Sequence, residues 1–95
     1  MPAPLHDSDR FGPKPNVLVR ELDGEAVLLD LDSGRYFGLN ASGLRIWAGL
    51  AAGRPVGEIV AELAREHEVA AETLRADLSE LVAELEREAL VRRLG

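Results

Sequence analysis

The sequence predicts an α+β domain: a three-stranded antiparallel meander followed by three helices. Three observations carry this reading. Between residues 17 and 39 the apolar residues fall in short β-branched or aromatic runs separated by Asp-Gly and Asp-Ser-Gly, the pattern of strands joined by tight turns. From residue 44 to residue 85 they recur at helical spacing instead. Strands first and helices after is the order of a sheet covered on one face by helices.

Residues 1–15 hold four of the five prolines, Pro2, Pro4, Pro13 and Pro15. Proline removes a backbone donor and restricts the residue before it. The segment therefore reads as a flexible tail, with the domain spanning 16–95; the other reading is an arm docked through Leu5 or Phe11. Val17-Leu18-Val19-Arg20-Glu21-Leu22 forms the first strand. Asp23-Gly24 makes the hairpin turn, since both positions tolerate positive φ. Ala26-Val27-Leu28-Leu29-Asp30 returns, Asp32-Ser33-Gly34 turns again, and Arg35-Tyr36-Phe37-Gly38-Leu39 is the third strand.

Asn40 is placed to cap a first helix, whose apolar stripe reads Leu44, Trp47, Ala48 and Ala51, with Ile46 and Leu50 beside it. Gly53-Arg54-Pro55 ends that helix. A second covers residues 56–68, with Ile59, Val60, Leu63 and Ala64 at helical spacing. The third covers 71–88 and shows the clearest one-sided stripe, Leu74, Leu78, Leu81, Val82 and Leu85. Leu90-Val91 follows as a short apolar coda.

Composition narrows the function. The four aromatics, Phe11, Tyr36, Phe37 and Trp47, leave a small core built mostly from Leu, Ile, Val and Ala. A net charge of −6 opposes phosphate neutralisation, so nucleic acid is not an expected partner. The absence of cysteine excludes disulfides and thiolate chemistry. No apolar run approaches the ~20 residues of a membrane span, and the N-terminus carries no secretory pattern; no membrane partner and a cytoplasmic location are expected. His6 and His67 are too far apart in sequence to suggest a metal site, and no metal or cofactor is expected. Ser33 and Ser42 are accounted for by a turn and a helix first turn. No Gly-x-Ser-x-Gly or phosphate-binding loop occurs, so no catalytic residue is assigned and no enzyme activity is expected. Asp77, Glu80, Glu84 and Glu88 line one face of the third helix. They form either a solvated face or an acidic rim that steers a basic peptide or docks a partner.

The third strand is the informative feature. If it lies at an edge of the meander, its backbone groups are unpaired on one side, and only Arg35 guards it. Such an edge is covered by the chain's own termini or by a twin subunit, or it is offered to a peptide that adds as a further strand. A strand-exchanged homodimer is one form of that cover.

The residues that carry these elements resemble the PqqD-like family, which includes the recognition elements of ribosomally synthesised, post-translationally modified peptides. The resemblance rests on Leu18 to Asp30 as quoted, then Asp32-Ser33-Gly34-Arg35-Tyr36-Phe37-Gly38-Leu39-Asn40, Gly43, Ile46-Trp47, Glu58-Ile59-Val60, Leu63, Val69 and the leucine-rich last helix through Leu90-Val91. It implies a winged-helix-like fold and a non-catalytic module that binds the leader segment of a precursor peptide. The leader adds beside the third strand, in a groove facing the third helix. Carried onto this chain, the groove comprises Arg35, Tyr36, Phe37, Gly38 and Leu39 opposite Leu74, Asp77, Leu78 and Leu81. Only one of Tyr36 and Phe37 lines it, because neighbours on a strand face opposite ways. The implied partner is a maturation enzyme: a leader peptidase in lasso-peptide maturation, or a radical-SAM protein in quinone cofactor (PQQ) biosynthesis. A DNA-binding winged-helix regulator shares the fold type, but the third helix offers only Arg75 and Arg87 amid acids. The chain departs from the family pattern at Arg54-Pro55-Val56, where a Ser or Thr cap is usual, and at Ala89, where Gly is usual.

Overall fold

The computed structural model describes residues 5–94. Its elements run β1 (Arg10–Pro13), β2 (Val17–Leu22), β3 (Glu25–Asp30), β4 (Tyr36–Leu39), α1 (Ala41–Ala51), α2 (Val56–His67), α3 (Ala71–Arg87) and β5 (Val91–Leu94). Strands β2, β3 and β4 are the three of the expected meander, paired antiparallel in the order β2-β3-β4. The first turn behaves as its residues dictate: Asp23 and Gly24 both take positive φ, 55° and 80°, which matches the twist of the strands they join.

Register divides the sheet into two faces. Ala26, Leu28, Phe37 and Leu39 share the inner face. Ala26, Leu28 and Leu39 are buried there and Phe37 packs against the core, with α1 lying on that face. Leu18, Val27, Leu29 and Tyr36 point the other way.

Asn40 caps α1 as expected, its Oδ1 accepting from the Gly43 N–H at 2.8 Å. The buried stripe of α1 is Gly43, Ile46, Trp47 and Leu50, one step around from the one read in the sequence; Ala48 and Ala51 are exposed. Ile46 and Leu50 remove more apolar surface from water than two alanines, and they decide which side faces the sheet. Helix α2 buries Val56, Ile59, Val60 and Leu63, and α3 buries Leu78, Val82 and Leu85.

The termini depart furthest from expectation. From Leu5 onward the N-terminal segment is part of the fold, and only residues 1–4 of the expected tail lie outside the described residues. Residues Arg10–Pro13 form β1, which pairs antiparallel with β5, the apolar coda. Phe11 is fully buried, and the Arg93 guanidinium lies 5.0 Å from its ring centroid. This is the docked-arm reading, with Phe11 as principal anchor and Leu5 packed at the core's margin. Proline did not prevent it: Pro13 is the last residue of the short strand β1, where a ring without N–H is tolerated.

The same arm explains the missing cap on α2. Pro55 provides no side-chain cap. Instead the Val56 N–H donates to the Asp9 carbonyl (2.8 Å) and the Gly57 N–H to the Asp7 carbonyl (2.9 Å). A Cβ at Gly57 would stand 2.7 Å from the Asp7 Cβ, so the arm seats closely only because residue 57 is glycine. Asp7 also pairs with Arg75 of α3, and Arg75 donates to the Leu5 carbonyl at 2.9 Å. At the other end of α3 the chain closes in a Schellman pattern. The Ala89 N–H donates to the Glu86 carbonyl (3.0 Å) and the Leu90 N–H to the Leu85 carbonyl (2.8 Å). Ala89 occupies the left-handed position, at φ 59°, where glycine is the usual residue because it lacks a Cβ.

Candidate peptide-binding groove

Strand β4 is an edge strand: it pairs with β3 on one side, and β1 and β5 pair with each other rather than with it. Both termini that were candidates to cover the edge are thus engaged elsewhere. The hydrogen-bond phase shows which backbone groups the edge offers. The Asp30 N–H donates to the Arg35 carbonyl at 3.0 Å, and on the opposite side of β3 the Leu31 N–H donates to the Asn16 carbonyl at 3.0 Å. Successive residues of a strand direct their N–H and C=O to alternate sides. Arg35, Phe37 and Leu39 therefore bond toward β3, while the N–H and C=O of Tyr36 and Gly38 point to the open edge.

Helix α3 faces that edge and runs opposite to β4. Arg35, just before β4, meets Glu88, the C-cap of α3, with Nη2 3.2 Å from Oε1. At the far end, Asn40, Ser42, Gly43 and Ile46 share a cavity of about 310 Å³ with Asp77, Glu80, Leu81 and Glu84. From 35 to 40 along the strand, at ~3.3 Å per residue, and from 77 to 88 along the helix, at ~1.5 Å, the two walls have matching lengths of about 16 Å. A second cavity, about 190 Å³, continues from the first through Ser42, Ile46 and Asp77 and is lined further by Leu63, Val69 and Leu74, with Arg45 and His67 at its rim. The groove is therefore bounded by the free edge of β4 and the acidic face of α3, and at its Asn40 end it opens into cavities lined by α1, α2 and α3 rather than by β4 side chains.

The residues singled out in the sequence distribute unevenly along it. Asp77 and Leu81 line the groove and Leu74 its apolar extension. Arg35 closes one end. Leu78 does not line it: it is buried in the core with Val82 and Leu85, because it lies on the α3 face turned to the core. Leu39 is also buried and contributes only through its backbone neighbourhood. The register gives Tyr36 and Phe37 opposite faces, and neither side chain lines the two cavities. Phe37 turns inward toward the helices, whereas Tyr36, 75% exposed, stands on the outer face. Gly38 is exposed, with open space where a side chain would be. Asn40, Ser42, Ile46, Glu80 and Glu84 line the groove without having been assigned to it. The acidic spacing on α3 was the signal for Glu80 and Glu84; Ile46 reads in sequence only as core.

Two half-buried carboxylates elsewhere are held below their ordinary value. Asp9 accepts from the His6 N–H and pairs with Arg93 at 2.7 Å; both lower it. Asp30 accepts from the Asp32 N–H, and Ser33 adds to the effect. Both brace turns rather than the groove. No helix among the described residues is long and apolar enough to cross a membrane. Nor do three or more His, Asp or Glu side chains converge there as a metal site would require.

Comparison with known proteins agrees with this architecture. The family described as coenzyme PQQ synthesis protein D (PqqD) matches residues 25–91, and the chain belongs to that family. Two solved structures share the fold over most of their length. One is TbiB1 in complex with the TbiA(beta) leader peptide, 36% identical, with a TM-score of 0.79 over 85% of this chain and 94% of that one. The other is lasso peptide synthetase B1 complexed with the leader peptide, 29% identical, with a TM-score of 0.79 over 87% of this chain and 98% of that one. None of the curated proteins searched matches the sequence.

Proposed function

We propose that this chain is a non-catalytic recognition module. It binds the leader segment of a ribosomally synthesised precursor peptide by strand addition to β4, and it presents the precursor to a separate processing enzyme. The observation that carries the proposal is the open edge of β4, with Tyr36 and Gly38 aimed at a groove walled by α3. Membership of the PqqD family supports it, as do two similar proteins solved with leader peptides. Main-chain bonds from Tyr36 and Gly38 supply sequence-tolerant affinity, and the cavities beside Ile46, Leu74 and Leu81 supply selectivity. Holding the precursor raises its local concentration at the enzyme. Of the two settings, lasso-peptide maturation with a leader peptidase is favoured over quinone biosynthesis with a radical-SAM protein, because both similar solved proteins carry leader peptides and one is named for lasso peptide synthesis. The cytoplasm is the setting that a cysteine-free chain fits.

The test is a fluorescence-anisotropy titration with two labelled probes, the TbiA(beta) leader and the leader of any precursor encoded beside this chain. Saturable binding that is lost when the leader is scrambled is the expected result. A folded protein that binds neither probe would contradict the proposal. The same edge is where a second copy would exchange strands, so any homodimer should dissociate as leader is added; size-exclusion chromatography reads this directly.

A further inference from the structure

The groove is electrically lopsided. Its helical wall presents Asp77, Glu80 and Glu84, none of which has a basic partner among the described residues. Its strand wall has a single charged residue, Arg35, at the opposite end from Asn40. Arg35 has the same side-chain phase as Phe37 and Leu39, toward the helices, and reaches Glu88 from there. Yet its side chain remains 73% exposed, and the contact uses one nitrogen, Nη2, at 3.2 Å. A guanidinium offers a planar fork of donors suited to both oxygens of a carboxylate, and most of that fork is unfilled.

We infer that Arg35 is a specificity-determining residue of the leader site: it takes an acidic side chain from the bound strand, and Glu88 holds its place in the free protein. The inference rests on the reading of the groove as the leader site. A strand added to β4 places one residue directly opposite Arg35 with its side chain on the same face. Because the backbone groups of Arg35 point toward β3, that pair is of the closely spaced, non-hydrogen-bonded kind, about 4.5 Å between Cα atoms. An acid at that position meets the guanidinium. Further along the strand it meets Asp77, Glu80 and Glu84, where like charges repel. Exchanging Glu88 for the incoming carboxylate costs little, since an exposed ion pair contributes weakly. The groove thereby reads where along the leader the acid lies, which a ladder of main-chain bonds cannot do.

The experiment uses the full chain and a labelled TbiA(beta) leader in which Glu, Gln and Lys are placed in turn at successive positions. One position should bind in the order Glu, Gln, Lys, each step weakening affinity by about two- to fivefold. Arg35→Glu should invert the order at that position alone. Arg35→Gln, which keeps a polar stem, should erase it if the charge-reversed protein fails to fold. Glu88→Gln should tighten binding of the Glu peptide and leave the Gln peptide unchanged. If the parent leader binds but no position prefers Glu, or the order survives in both Arg35 variants, the inference is wrong while the groove reading stands. A folded wild-type chain that binds neither this leader nor that of a precursor encoded beside it would remove both readings.

Discussion

The two edges of the meander have the same chemistry and opposite surroundings. At the β2 edge, Val17, Val19 and Glu21 direct their backbone groups outward, as Tyr36 and Gly38 do at the β4 edge. The β2 edge carries Arg20 and Glu21, charges that discourage an incoming strand, and the cavities described above lie elsewhere. The β4 edge faces an acidic helix, with Arg35 meeting Glu88 at one end and a cavity of about 310 Å³ at the other. An unpaired edge alone is therefore a liability; an edge with a second wall is a site. Among the described residues the two terminal strands leave the site open, because β1 and β5 pair with each other rather than with β4.

Proline distinguishes the edges most sharply. Gly38→Pro removes an outward donor and leaves the β3 ladder intact, so leader affinity should fall about a hundredfold while circular dichroism stays native. Val19→Pro makes the same change on the other edge and should leave affinity unchanged. Equal losses in the two variants would end the comparison. Phe37→Pro, by contrast, deletes a bond to β3 and should unfold the sheet.

The next largest effect lies in the arm that spares the groove. Gly57→Ala drives a Cβ into Asp7 and should lower unfolding free energy by ~1–2 kcal/mol, read by urea denaturation. Native stability in that variant would mean the arm does not seat on α2. Acid acts on the same arm. The folded-state values of Asp9 and Asp30 lie below the ordinary 3.8. Their contribution is therefore complete above that value and is lost as pH falls through the lower folded values. Thermal melts should show stability declining below about pH 4, with a shallower decline in Asp9→Asn. The smallest effect is at the end of α3: Ala89→Gly relieves a left-handed alanine and should stabilise by roughly 1 kcal/mol, with leader affinity unchanged.

The sequence made the meander and helices legible because each carries its own period and its own punctuation: Asp23-Gly24 for the hairpin, Asn40 for the cap, the leucine stripe for α3. It hid the arm because proline density argues for disorder, whereas a single fully buried Phe11 and the Gly57 notch are tertiary facts. Likewise Leu78 and Leu81 look equivalent along a helical stripe, yet a turn of about 100° per residue puts one in the core and the other in the groove. The sequence posed the choice between Tyr36 and Phe37, and the register of β4 on β3 adds that Phe37 turns inward and Tyr36 outward.

Residue-resolved amide hydrogen exchange, with and without saturating leader, tests the central claim most directly. The account predicts that the Tyr36 and Gly38 amides gain protection on leader addition while those of Val17, Val19 and Glu21 do not. Protection appearing along β2 instead, or binding that leaves Tyr36 and Gly38 exchanging as before, would contradict strand addition at β4.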